Sequence, residues 1–311
     1  MRRRSFLALA GMAFSPSGCR RLEHLGIPLA VHQPGLVEGH RLRDGTPLPT
    51  PTRELRTGVA ILGSGVAGLT AAWRLARDGH DDFLLLDGPE PDGNAAGGRF
   101  DGPSGPLLHP CGAHYLPLPG VEAVAVRELL AELGVLQGDP RALRPTYDER
   151  YLCAVPQERL YRDGLWQESL WPQIGVSASD RGQYARFQEL MNAYRDRRAF
   201  TVPMAHSKRS PELLALDRVS MRDWLLAQKL DAAPLHWYVD YACRDDYGTA
   251  SAETSAWAGI HYFACRSGEA ANAEHDTVLT APDGNAWLAR GLERGITSRS
   301  AGRIVNGALA V

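Results

Sequence analysis

The sequence predicts an α/β chain, in which a parallel strand–helix–strand unit opens the first domain and a mixed α+β segment is inserted after it. Three observations lead there. "GVAILG" and "FLLLD", ending at Gly63 and Asp87, are short apolar runs of the length that suits buried parallel strands. Between them Leu69, Ala72, Trp73, Leu75 and Ala76 recur on one helical face, and Gly79 follows where a C-terminal helix cap falls. Glycines 63, 65 and 68 fill the turn from the first strand into that helix, completing a β-α-β unit of about 30 residues.

The segments before that unit read differently. Residues 1–19 carry three arginines, an apolar run from Phe6 to Phe14 and "SPSGC" ending at Cys19, the layout of an export signal. The run is too short to span a bilayer. Arginines followed by Ser5, Phe6 and Leu7 resemble the twin-arginine signal, which implies export of an already folded protein by the twin-arginine machinery of a bacterium. Small residues before Cys19 loosely resemble a lipoprotein cleavage box, so a lipid anchor at Cys19 is an expectation, with Pro16 departing from that pattern. The expected location is therefore periplasmic or membrane-anchored. Residues 20–57, rich in proline, glycine and threonine, read as an extended linker.

After the β-α-β unit, 121–135 has the pattern of an amphipathic helix, and Asp163-Gly164 between aromatic-rich arms signals a hairpin. Helices are expected around 184–195, 221–230 and 235–243, followed by the aromatic stretch "SAWAGIHYFACR". The division expected is 58–118 for the first part of the nucleotide-binding domain, 119–275 for an inserted substrate domain, and 276–311 for a return to the first domain.

The glycine turn carries the chemistry. Gly63 permits the tight turn, Gly65 lets backbone approach a pyrophosphate, and Gly68 lets helix pack on strand, with Ser64 and Ala67 completing the loop. Free amides and the dipole at the helix N-terminus favour phosphate charge. Asp87, 19 residues beyond Gly68, is placed to accept ribose hydroxyls and disfavours a ribose carrying a phosphate. On these residues alone FAD and NAD are both open.

Gly97, Gly98 and Arg99, then Gly112, Ala113, His114 and Tyr115, resemble the flavin-dependent amine oxidase and phytoene desaturase superfamily. That resemblance implies FAD, with 97–99 along its diphosphate and ribityl chain and 112–115 near the isoalloxazine ring. It implies a Rossmann-like FAD-binding domain and oxidation of a small organic substrate by hydride transfer to flavin. A glycine-rich C-terminal stretch of that superfamily has no counterpart here, so a C-terminally incomplete chain is expected. No catalytic base is assigned, because neither Lys208 nor Lys229 has the matching context. A redox-inactive FAD-binding surface protein and an NAD-linked dehydrogenase remain the alternatives.

Other residues have more than one reading. His109, Cys111 and His114 read as a loop rather than a metal cluster, and no metal is expected. Trp224, Trp237, Tyr238, Tyr241, Trp257, Tyr262 and Phe263 suit a substrate pocket or, more commonly, a core. Asp245 and Asp246 suit a helix cap or turn, and "YRDRR" from Tyr194 a solvated face. With 34 basic and 36 acidic residues and a net charge of −2, nothing favours nucleic acid as a partner.

Overall fold

The computed structural model describes residues 31, 33–48, 50, 54–153, 158–275 and 277–308. The expected export signal and Cys19 lie outside the described residues. The first element among the described residues, α1 (Leu36–Arg43), falls in the stretch expected to be extended linker. It buries no residue; Glu38 in its first turn and His40, Arg41 and Arg43 in its last suit the helix dipole. A search for apolar periodicity cannot register such a helix.

β1 (Val59–Leu62), α2 (Val66–Arg77) and β2 (Phe83–Leu86) form the β-α-β unit, with β1 and β2 parallel and paired from Val59↔Phe83 to Leu62↔Leu86. Helix α2 buries Leu69, Ala72, Trp73 and Ala76, and Gly79 follows its C-terminus at φ 80. The strands differ. Phe83 and Leu85 of β2 are fully buried, whereas Val59 and Leu62 of β1 are 44% and 63% exposed. The expectation of two buried strands therefore holds only for β2. The sheet order is β1-β2-β12, the last being Ile304–Val305, which leaves β1 at an edge with only Ile61 packed against the core.

A hairpin follows, β3 (Gly97–Gly102) with β4 (Gly105–Pro110), and then β5 (Leu116–Pro117), α3 (Val124–Glu132), β6 (Leu136–Gln137), β7 (Thr146–Tyr147) and β8 (Leu152–Cys153). Arg127 on α3 is 1% exposed and donates to the carbonyls of Pro119, Pro140 and Ala142, pinning the loops on both sides of its helix. β9 (Arg159–Arg162) and β10 (Leu165–Glu168) form the expected hairpin. Asp163 and Gly164 take φ of 52° and 84°, the two positive values that a primed turn requires.

The helical layer comprises α4 (Ala178–Asp196), α5 (Pro211–Ala215), α6 (Met221–Ala227), α7 (Ala233–Tyr247) and α8 (Ala256–Ala264). Ser177 and Asp180 close a reciprocal capping box that starts α4. Phe187 and Met191 of α4 pack with Met221, Leu225, Leu235, Val239 and Ile260 in a core separate from that of the β-α-β unit. β11 (Val278–Leu279) then pairs antiparallel with both β5 and β8. Finally α9 (Ala286–Arg299) packs on α2, and β12 (Ile304–Val305) pairs parallel with β2. Gly295 makes that helix contact close: a Cβ there would stand 2.8 Å from the Trp73 ring. Full burial of a side chain as large as Trp73 contributes about 3 kcal/mol.

Candidate functional site: a glycine cradle joined to an aromatic cavity

The cradle is made mainly of backbone. Gly63 turns out of β1 at φ 94°, and its N–H still donates to Leu86 at 2.9 Å. Gly68 sits so close that a Cβ would collide with the Gly63 carbonyl, while a Cβ on Gly65 would find only the Gly93 Cα, at 4.0 Å. Gly65 caps α2 with no side-chain hydrogen bond, and the first turn holds no acidic residue. The first amides of α2, those of Val66 and Ala67 among them, are therefore left for an anion. Ser64 is buried and donates its hydroxyl hydrogen bond to Asp87 at the end of β2. Nucleotide-binding residue types are thus held with a ribose-type acceptor beside a phosphate-type donor set.

Residues 92–95 tie this cradle to the later motifs. Asp92 bridges to Gly65, and the Asn94 carbonyl accepts from Ala113 at 2.8 Å. Gly112 lies under the same carbonyl, where a Cβ would come within 2.8 Å of it. The Ala113 carbonyl in turn accepts from Asn285 N–H at 2.9 Å, and the Asn285 side-chain amide donates to the Tyr115 carbonyl at 2.9 Å. Thr280 donates to the His114 carbonyl at 2.7 Å. Burial pushes the Asp92 carboxyl up, helped by Glu293 and Asp87 and opposed by Arg290.

Sequence proximity does not make every motif residue part of this network in the same way. Gly97 packs under Ala286 and Asp283, and Gly98 under the His109 imidazole, so both are glycines for close approach to protein groups. Arg99 is exposed and pairs with Asp101 at 2.9 Å. Cys111, Cys243 and Cys265 carry free thiols, the first exposed and the other two buried.

Beyond Tyr115 lies a cavity of about 710 Å³ between α4, α7, α8 and the sheet of β5 and β11. Tyr184, Tyr238, Tyr262 and Phe263 line it above a floor that includes Pro117, Leu118 and Val278. Of the aromatic residues with two readings, these three from α7 and α8 face the cavity, whereas Trp224 is buried core and Trp237 stacks on Tyr241 at the surface. Asp245 and Asp246 lie in the last turn of α7, and burial pushes the Asp246 carboxyl up.

Two site residues escaped the sequence. Arg266 donates to the Tyr115 hydroxyl at 3.0 Å and covers the rings of Tyr115 and Tyr262 at 5.6 and 5.8 Å, joining the 112–115 segment to the cavity wall. Arg195, in the run expected to be a solvated face, is half-buried, donates to the Phe263 carbonyl at 2.9 Å and lines the cavity. Charge-rich sequence around Tyr194 masked it. Only the packing of α4 on α8 turns Arg195 inward.

Comparison with known proteins agrees with this geometry. Residues 61–133 match the model of the NAD(P)-binding Rossmann-like domain. The fold of this part is Rossmann-like. Among solved structures, putrescine oxidase bound to putrescine is 17% identical with a TM-score of 0.51, over 82% of this chain and 51% of that one. A triple mutant of putrescine oxidase gives 15% and 0.53, over 81% and 51%. A protein of Pyrococcus furiosus gives 17% and 0.50, over 80% and 50%. The chain thus spans about half the length of these structures, and at such identities the likeness is one of fold.

Proposed function

We propose that this chain binds FAD and serves an amine-oxidase-like oxidoreductase that acts on a small organic substrate. The observation that carries the proposal is the uncapped, acid-free N-terminus of α2 facing open space at Gly65, with Asp87 beside it. Gly63, Ser64, Gly65, Ala67 and Gly68 would hold the diphosphate, and Asp87 the adenosine ribose. Support for FAD over NAD comes from 112–115, which hydrogen bonds draw onto the cradle through Asn94 and which leads into the aromatic cavity through Tyr115 and Arg266. In this reading 97–99 serve the same cofactor, with Arg99 exchanging Asp101 for phosphate. Bound FAD would supply a two-electron acceptor for a hydride equivalent from a C–N or C–C bond. The protein's share is orientation and exclusion of water, by the walls of Tyr184, Tyr238, Tyr262 and Phe263.

The test is the absorption spectrum of the purified protein. Flavin bands at one FAD per chain, bleached by dithionite and by a substrate amine, are the expected result. Bands that neither a substrate nor dithionite bleaches would support the redox-inactive alternative. A colourless protein that binds NAD would overturn the proposal in favour of a dehydrogenase, a reading with which the NAD(P)-binding domain match is also compatible.

The proposal includes export of the folded protein through the twin-arginine machinery to the periplasm, with Cys19 as lipid anchor. Mass spectrometry of the N-terminus from the native compartment tests it: cleavage before a lipidated Cys19 is expected, and an intact Met1 would overturn it.

A further inference from the structure

Aromatic rings and polar groups share the cavity lining, and the charged groups among them are not evenly arranged. Glu158, Glu168 and Glu274 line it from exposed positions, whereas the two cations that line it, Arg195 and Arg266, are half-buried. Both arginines meet at the C-terminal end of α8. Arg195 donates to the Phe263 carbonyl there, and Arg266 follows two residues after the helix ends at Ala264. That helix end carries partial negative charge, which favours cations beside it.

Neither guanidinium is satisfied by its protein partners. A guanidinium carries five N–H donors in a planar fork. Arg195 uses two nitrogens, on Asn192 at 3.2 Å and Phe263 at 2.9 Å, and its Nε is buried with no hydrogen-bond partner. Arg266 gives one hydrogen bond to the Tyr115 hydroxyl, and two tyrosine rings cover its faces. Neither is in an ion pair with a carboxylate among the described residues. Asp246 feels the charge of Arg266 without forming an ion pair with it, and burial and Asp245 push its carboxyl up. A half-buried guanidinium with N–H groups left open beside aromatic rings is a donor set that a carboxylate completes, because the bonds are charge-assisted and its two oxygens match the fork.

We propose that the cavity binds its substrate by a carboxylate held on Arg266 and Arg195, with an apolar or aromatic body against Tyr184, Tyr238 and Phe263, so that the substrates are apolar carboxylic acids, amino acids included, rather than simple amines. This deepens the oxidoreductase reading and rests on it for the chemistry, but the binding itself needs only the cavity. Arg266 has a second duty. Its bond to Tyr115 ties carboxylate binding to the segment that leaves the cradle.

Titration calorimetry of the whole chain with phenylacetate and with phenethylamine tests the proposal, because the two share the ring and differ in the sign of the charge. Phenylacetate is expected to bind at least about 10-fold more tightly. Arg266→Met and Arg195→Met are each expected to weaken phenylacetate about 10- to 100-fold and to leave phenethylamine unchanged or tighter. Arg266→Lys guards against misfolding: it keeps the charge, loses the fork, and is expected to retain part of the affinity. Equal or tighter binding of phenethylamine by the native protein, or unchanged phenylacetate binding in a folded variant of either arginine, overturns the proposal. Flavin absorbance is read in the same samples. Carboxylate binding without flavin sinks the cofactor reading and leaves this one standing; flavin without carboxylate binding does the reverse.

Discussion

The cradle and the cavity are joined by one run of contacts, from Gly65 through 92–95 and 112–115 to Arg266, yet they are built from opposite materials. The cradle is backbone: Gly63, Gly65 and Gly68 contribute by lacking a side chain, and its donors are peptide N–H groups within a few residues of one another. The cavity is side chain: its walls come from α4, α7 and α8 and its floor from β5 and β11, elements more than 100 residues apart at the extremes. The first kind of site is harmed by adding an atom, and the second by removing one. That asymmetry can be tested from both sides.

The largest effect is expected from Gly68→Ala. Its Cβ would collide with the Gly63 carbonyl, which belongs to the backbone and cannot swing away. A loss of about 3 kcal/mol in stability and of measurable FAD binding is expected, read by denaturant unfolding and flavin titration. If Gly68→Ala binds FAD normally, the cradle is not the site. Gly268→Ala is the matching change at the other end, because its Cβ would collide with the Leu118 carbonyl on the cavity floor. It is expected to cost a similar amount but to abolish phenylacetate binding ahead of FAD binding.

Removal is the sharper probe for side chains. Arg127→Leu strips the donors from three loop carbonyls, one in the β5–α3 connection and two in the β6–β7 connection, and about 3 kcal/mol of stability should go with them. Ser64→Ala should do less. It removes one hydrogen bond to Asp87, and about 1 kcal/mol, or roughly fivefold in FAD affinity, is expected, with Asp87→Asn a larger loss in the same titration. Should Ser64→Ala exceed Asp87→Asn, the hydroxyl rather than the carboxylate would be the ligand group.

The smallest effect concerns the thiols. Burial pushes Cys243 and Cys265 up to about 11 from an unfolded 9.0. Raised folded values mean that the unfolded chain ionises first, so this contribution is intact below pH 9 and is lost as pH rises through about 11. Native protein at neutral pH is expected to expose Cys111 to a thiol reagent and to protect Cys243 and Cys265 until unfolding. Fast labelling of all three would show that the helical layer is open.

The legibility of the two regions follows the same division. The β-α-β unit could be read because its information is local: a period, a spacing of glycines and an acid at the strand end. The hairpin at Asp163-Gly164 was legible for the same reason, since two positive φ values select those residues. α1 was missed because it buries nothing, and β1 was misjudged because a strand's composition does not say whether it lies at an edge. Trp224, Tyr238 and Tyr262 look alike in sequence; whether each fills a core or walls a cavity depends on how α6, α7 and α8 cross.

By itself, then, the sequence determined the residues whose role is set by backbone geometry, Gly63, Gly65, Gly68 and Asp87, because a tight turn and a helix N-terminus are short-range objects. Only the tertiary structure decided that Asn94 links them to 112–115, that Ser64 engages Asp87, and that Arg195 and Arg266 turn into one cavity. The reason is physical. Where a long side chain points depends on which helix packs against it, and that packing is settled by residues far away along the chain.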